Sequence, residues 1–115
     1  MPRPRSAAAK AQIAGSAAVF FALGDETRLG LVSRLCDAGP MSIAKLTDGF
    51  DITRQAITKH LRVMEDAGLV WSTQQGRESV WQLEPKRLVE ARRYLQSISA
   101  QWDDALGRLK TFVER

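Results

Sequence analysis

Through most of this chain apolar residues recur every three or four positions, the spacing of helices that bury one face, while two short runs rich in β-branched and aromatic residues flank Gly76. The pattern predicts a mainly α protein with one small β-hairpin. Residues 13–23 read as a first helix. Gly24 marks its junction with a second, capped by Asp25, whose Leu29, Leu31, Val32 and Leu35 are expected to face a core. Ala38-Gly39-Pro40 breaks the pattern. Ser42 is then placed to cap a short helix carrying Ile43, Leu46 and Phe50 inward, and residues 49–52 form a tight connection to a longer helix over 53–68. Short helix, turn and longer helix over 42–68 are the plan of a helix-turn-helix. Strands are expected over 69–73 and 79–83, joined through Gln74-Gln75-Gly76-Arg77-Glu78, and a hairpin at that place is a wing. Pro85 suits the first turn of a last helix reaching residue 113.

The stretch 51–68, DITRQAITKHLRVMEDAG, is the most specific. Thr53 can accept from backbone N–H groups of the first turn as N-cap, and Gly68 can close the far end in a left-handed conformation. Advancing ~100° per residue from Ile57 puts Ala56, His60, Leu61, Val63, Met64 and Ala67 on one arc. Arg54, Gln55, Thr58, Lys59 and Arg62 occupy the other, with no acid before Glu65. Core formation accounts only for the apolar arc. Arg, Gln and Lys reach base edges or phosphates, and Thr is short enough to let a helix approach closely, so the polar arc suits the major groove of DNA. An ordinary amphipathic helix with a solvated face would show the same arcs. The wing that follows favours DNA, because Arg77 at its tip can enter a minor groove or hold a phosphate, with Gln75 as a further donor.

In the last helix Leu88, Ala91, Leu95, Ile98, Trp102, Ala105, Leu109 and Phe112 alternate spacings of three and four, a heptad seam. At ~1.5 Å per residue this helix is ~43 Å long, beyond the ~30 Å width of a small domain. Its seam is therefore expected to bury Leu88, Leu95, Ile98, Trp102, Leu109 and Phe112 against a second copy, in a helical bundle that Leu106 and Val113 widen. The opposing expectation is a seam packed wholly on its own domain. The organisation expected is a flexible basic arm over 1–10, a winged helix-turn-helix core over 11–84 and a dimerisation helix over 85–115.

Composition narrows this further. The 115 residues are 44% hydrophobic and 26% charged, which fits one globular domain, and a net charge of +4 with a pI near 9.7 favours polyanions only weakly. Arg3, Arg5 and Lys10 stud an opening free of acids as far as Asp25, and no specific contact is assigned to them. The apolar run 17–23 is too short to span a bilayer and lacks the exit of a secretory signal, so a cytosolic protein without membrane contact is expected. Cys36 and His60 are each the only one of their kind, which leaves no intrachain disulfide and no ordinary zinc site; no metal or cofactor is assigned. Catalytic residues are absent too, since there is no second histidine, no nucleophile beside a base and no phosphate-cradling loop, so an enzyme is not expected. Trp71, Trp81 and Trp102 are assigned to packing, and His60 is read as a hydrogen-bonded, partly buried side chain rather than a pH switch.

The order of helices, Thr-Arg-Gln-Ala-Ile-Thr-Lys-His-Leu in the longer helix, Ala67-Gly68-Leu69-Val70 leading into a strand, Gly76-Arg77-Glu78 in the wing and Leu-Gly-Asp-Glu-Thr-Arg-Leu over 23–29 together resemble the ArsR family of bacterial winged helix-turn-helix repressors. The resemblance covers roughly residues 19–83. It implies that Thr53, Arg54, Gln55, Thr58 and Lys59 face bases or nearby phosphates, that Arg77 belongs to the wing, and that homodimers join through the first and last helices. The departures matter as well. Metal-sensing members carry Cys-x-Cys in the first helix of the helix-turn-helix, where this chain reads Ser42-Ile43-Ala44-Lys45-Leu46, and its last helix has Asp103 and Asp104 but no histidine. Cys36 is single and is expected in the core beside Leu35. The resemblance implies a metal-independent, often autoregulatory lineage whose inducing signal the family does not fix. The reading is a sequence-specific homodimeric repressor of double-stranded DNA acting on an inverted-repeat operator. A winged-helix module that binds another protein or structured RNA is the alternative.

Overall fold

The computed structural model describes residues 4–114. Five helices and three strands follow in the order α1 Pro4–Leu23, α2 Glu26–Ala38, β1 Met41–Ser42, α3 Ile43–Thr47, α4 Arg54–Asp66, β2 Val70–Gln75, β3 Glu78–Leu83 and α5 Pro85–Val113. The sheet is antiparallel with order β1-β3-β2. Mainly helical, with a small sheet and a long last helix, the architecture is the winged helix-turn-helix that the hydrophobic pattern predicts.

Helix boundaries follow their caps. Asp25 accepts from the Arg28 N–H at 3.0 Å, Ser42 from Lys45 at 3.3 Å and Thr53 from Ala56 at 3.1 Å, each satisfying one otherwise orphaned donor of a first turn. The exit of α4 is as well defined. The Leu69 N–H donates to Met64 O and the Gly68 N–H to Glu65 O, both at 2.9 Å, a Schellman closure that needs the left-handed φ of +76° at Gly68. It turns the chain directly into β2. The helix-turn-helix turn is held from outside by Arg34, which donates to Lys45 O and Leu46 O and lies 5.2 Å from the centre of the Phe50 ring.

The core joins all layers. Val19 and Ala22 of α1, Leu31 and Leu35 of α2, Leu46 of α3, Ile57, Leu61 and Met64 of α4, Leu69, Val70 and Trp81 of the wing and Ala91 of α5 form one buried cluster. Ile57, Leu61 and Met64 are fully buried at spacings of four and three, so the apolar arc of α4 is spent on cohesion and its opposite arc faces outward.

Several expectations change. The first helix begins at Pro4 rather than residue 13, so residues 4–10 of the expected arm are helical backbone; Arg3 lies outside the described residues. The strands run to Gln75 and from Glu78, which shortens the wing connection to Gly76-Arg77, and the two-residue strand β1 was not foreseen. Leu29 is half exposed because Leu31 and Leu35 define the inward stripe of α2 and Leu29 falls roughly 200° from Leu31. Cys36 is exposed, not in the core, since one step past Leu35 turns it outward. Of the tryptophans assigned to packing only Trp81 is buried. Trp71 follows buried Val70 on a strand and so points to solvent at 41% exposure, and Trp102 is 63% exposed. Along the seam of α5, Ala91 enters the core and Leu88 packs against it, so Leu88 is used inside the protomer.

Candidate nucleic-acid interface

The outer arc of α4 presents Arg54, Gln55, Lys59 and Arg62 as exposed side chains, with Thr53 at the cap and Thr58 half-buried between them. Both threonine hydroxyls are engaged with their own helix. Thr53 Oγ1 accepts from Ala56, which leaves its proton free for an outside acceptor, and Thr58 Oγ1 donates to Arg54 O at 2.9 Å, which leaves its oxygen free to accept. Among the described residues Arg54, Lys59 and Arg77 take part in no ion pair. Arg62 differs. Its Nη1 donates to Glu65 Oε1 at 2.9 Å, and its guanidinium carbon sits 5.5 Å from the centre of the buried Trp81 ring, so this arginine braces α4 against the wing. At 61% side-chain exposure it keeps N–H groups for an outside oxygen.

The wing tip is a two-residue turn across the Gln75 to Glu78 pair. Only Gly76 has positive φ there, +64°, the pattern of a II′ turn whose twist matches paired antiparallel strands. Gln75 and Arg77 flank that glycine and both are exposed. Arg54 and Gln75 also line one open groove of about 930 Å³ between α3, the start of α4 and the wing. Lys45 lies in the same groove and was not singled out by sequence; its one signal is a lysine on the solvated side of a very short helix. The groove carries Asp48 and Glu78 as well, so its charge is mixed.

His60 leaves the apolar arc at 25% side-chain exposure, hydrogen-bonded and partly buried as expected. Its Nδ1 lies 3.2 Å from Arg28 Nη1 and 3.7 Å from Asp25 Oδ2. The Arg28 backbone N–H, and then the Arg28 charge, hold the Asp25 carboxyl below its ordinary value. Of the positions to which the family resemblance would give metal-binding thiolates, Ser42 uses its hydroxyl as the cap of α3 and Ala44 carries no side-chain donor. No single helix among the described residues is long and apolar enough to cross a membrane.

Residues 23–71 match the family described as a helix-turn-helix domain. The HTH-type transcriptional regulator YuzN of Bacillus subtilis is 44% identical over 69 residues, covering 55% of this chain and 75% of YuzN. The HTH-type transcriptional regulator Rv2034 of Mycobacterium tuberculosis is 33% identical over 95 residues, covering 72% of this chain and 88% of that protein. Among solved structures, an ArsR-like transcriptional regulator from Rhodococcus sp. RHA1 superposes with a TM-score of 0.74 at 37% identity, over 87% of this chain and 93% of that one. The helix-turn-helix with its capped α4, the tight wing and these relatives agree: this chain belongs to the ArsR family of winged helix-turn-helix transcriptional regulators, DNA-binding proteins and not enzymes.

Proposed function

We propose that this regulator is a homodimeric repressor of an inverted-repeat operator, with the α4 helices of two copies in successive major grooves and their wings on the flanks. One observation carries the reading: unpaired Arg54, Gln55 and Lys59 stand on the outward arc of a helix whose inward arc is fully buried, beside Gln75 and Arg77 at the wing tip. Arg54, Gln55 and Lys59 are assigned to base edges, Thr53, Thr58 and Arg62 to the phosphates bordering the groove, and Gln75 and Arg77 to the flanking backbone or minor groove.

Pairing of copies is supported by what α5 leaves uncovered. Leu95, Trp102, Leu109 and Phe112 are 52%, 63%, 58% and 75% exposed, and Ile98 only half-buried, along one continuous seam. Burying such side chains contributes ~1.5–3 kcal/mol each relative to water, so a second copy is the economical cover. Two-fold symmetry then sets the operator half-sites about one helical turn, ~34–36 Å, apart or slightly more. Binding at a promoter, the protein's own among them, blocks transcription in the cytoplasm.

The test is retention of duplex fragments from the source genome by purified protein, with excess nonspecific competitor at near-physiological salt. Fragments sharing a two-fold symmetric motif are expected, the promoter of the protein's own gene included. Retention of structured RNA alone, or of no duplex at all, replaces this reading with a protein- or RNA-binding winged helix.

A further inference from the structure

One arginine ties three helices together at a corner outside the DNA-facing surface. Arg28, in the first turn of α2, donates from Nε to Ala22 O at 2.5 Å and from Nη2 to Phe21 O at 3.3 Å, which gives the Ala22 carbonyl at the C-terminus of α1 a donor and adds a second to Phe21 O, which already accepts from the Gly24 N–H at 3.1 Å. Its remaining nitrogen, Nη1, reaches His60 Nδ1 on α4 at 3.2 Å. A guanidinium can only donate, so Nδ1 accepts and the ring proton sits on Nε2. Asp25 completes the corner: its carboxylate accepts the Arg28 backbone N–H at 3.0 Å and stands 3.7 Å from the same Nδ1.

His60 follows directly after Lys59 and lies about half a turn of helix from Thr58 and Arg62, so whatever fixes its ring adds to the buried Ile57, Leu61 and Met64 in setting the rotation of the reading face about the α4 axis. The fixed point is the end of α1, which packs against α5, the helix that carries the exposed seam. The geometry points to Arg28 and His60 as positioning residues for DNA reading, one guanidinium holding α4 at a set angle to the α1 and α5 framework. This rests on α4 being the reading helix. The pair touches no DNA itself. It selects among duplexes by holding both reading helices of a dimer at one spacing, and leaves charge-driven binding to any duplex unchanged.

The test compares affinity for an operator selected from duplex fragments with affinity for a shuffled duplex of the same length and composition. His60→Asn places a carbonyl oxygen the same two bonds from Cβ as Nδ1 and keeps the acceptor; His60→Leu keeps the bulk and removes it. For His60→Leu, operator affinity is expected to fall roughly ten-fold, about one base contact, with the shuffled duplex bound within about two-fold of the parent protein. His60→Asn is expected to restore operator affinity to within about two-fold. Arg28→Lys, whose single nitrogen cannot stand where three separated guanidinium nitrogens do, should lose operator affinity at least as His60→Leu does, and the double variant should be no worse than Arg28→Lys alone because both substitutions remove the same Arg28–His60 contact. Helical circular dichroism and urea unfolding on each variant separate misplacement from loss of fold. An unaffected His60→Leu, a His60→Asn as weak as His60→Leu, an additive double variant, or equal losses on both duplexes would overturn the inference. If the parent protein selects no duplex, the reading of α4 falls and this inference with it.

Discussion

Arg54 and Arg77 are both exposed arginines, yet their surroundings assign them different work. Arg54 projects, exposed, from the first turn of α4 and on the proposed reading meets a base edge, so Arg54→Ala is expected to weaken operator binding by ~1–3 kcal/mol, about five- to 150-fold. Arg77 sits on a turn, and Arg77→Ala is expected to weaken binding to all duplexes alike and to reduce the slope of log affinity against log salt by about one. Anisotropy titrations at several salt concentrations read both; an unchanged slope would remove the wing contact. Asp25 gives a pH prediction. Its folded pKa lies below the ordinary 3.8, so its contribution to stability is fully present above that value and is lost as pH falls through the depressed one. Asp25→Ser, which keeps a capping oxygen without the charge, should be less stable than the parent at pH 7, and urea unfolding should show the gap closing below about pH 4. The outward cationic arc of α4 was legible in sequence because helical periodicity assigns side chains to arcs, and the exposed arginine of the wing because Gly76 marks the turn. Whether Arg62 is free or braced was not, since Trp81 lies beyond β2 and meets it only in the fold.

Single elements show where local signals suffice. Each cap named from sequence, Asp25, Ser42 and Thr53, captures a backbone N–H three residues on, because capping depends only on near neighbours. Gly68 is the strictest of these local requirements. It needs left-handed φ, and a Cβ there would stand 3.0 Å from Arg87 Cγ of α5, so Gly68→Ala should cost about 1–2 kcal/mol and lower the urea midpoint. A midpoint unchanged by that substitution would mean that the α4 to β2 junction bends freely. Strand β1 escaped notice because Met41-Ser42 is too short for a periodic signal and exists only by pairing with Val80 and Trp81, some forty positions on. Cys36 and Leu29 were misplaced for a related reason: α2 has apolar residues on more than one face, and its neighbours choose which stripe is buried.

The protomer measures 66 × 40 × 20 Å with a radius of gyration of 18.7 Å, well above the ~13 Å expected of a compact chain of this length. The excess is α5, whose second half runs clear of the winged core with its apolar residues in water. If pairing through that helix completes the core, the melting temperature should rise with protein concentration. Trp102→Asp should abolish that dependence and yield a monomer by light scattering while the helix-turn-helix keeps its circular dichroism. A concentration-independent melt of the parent protein, together with a monomeric mass at micromolar concentration, would sink the paired arrangement. Operator affinity of the Trp102→Asp protein should fall far more than its affinity for random duplex, because only a pair engages both half-sites.

Periodicity, caps and turn glycines were enough to place helices, wing and cationic arc, because each is governed by residues within one or two turns of itself. They were also enough to suggest that α5 outgrows its own domain. Which apolar residues stay in water, which arginines face outward unencumbered and which are anchored, and how a histidine on the reading helix comes to lie against the end of the first helix depend on contacts between segments distant along the chain. Those contacts arise only once the core has fixed the angles between helices, and no local pattern encodes an angle.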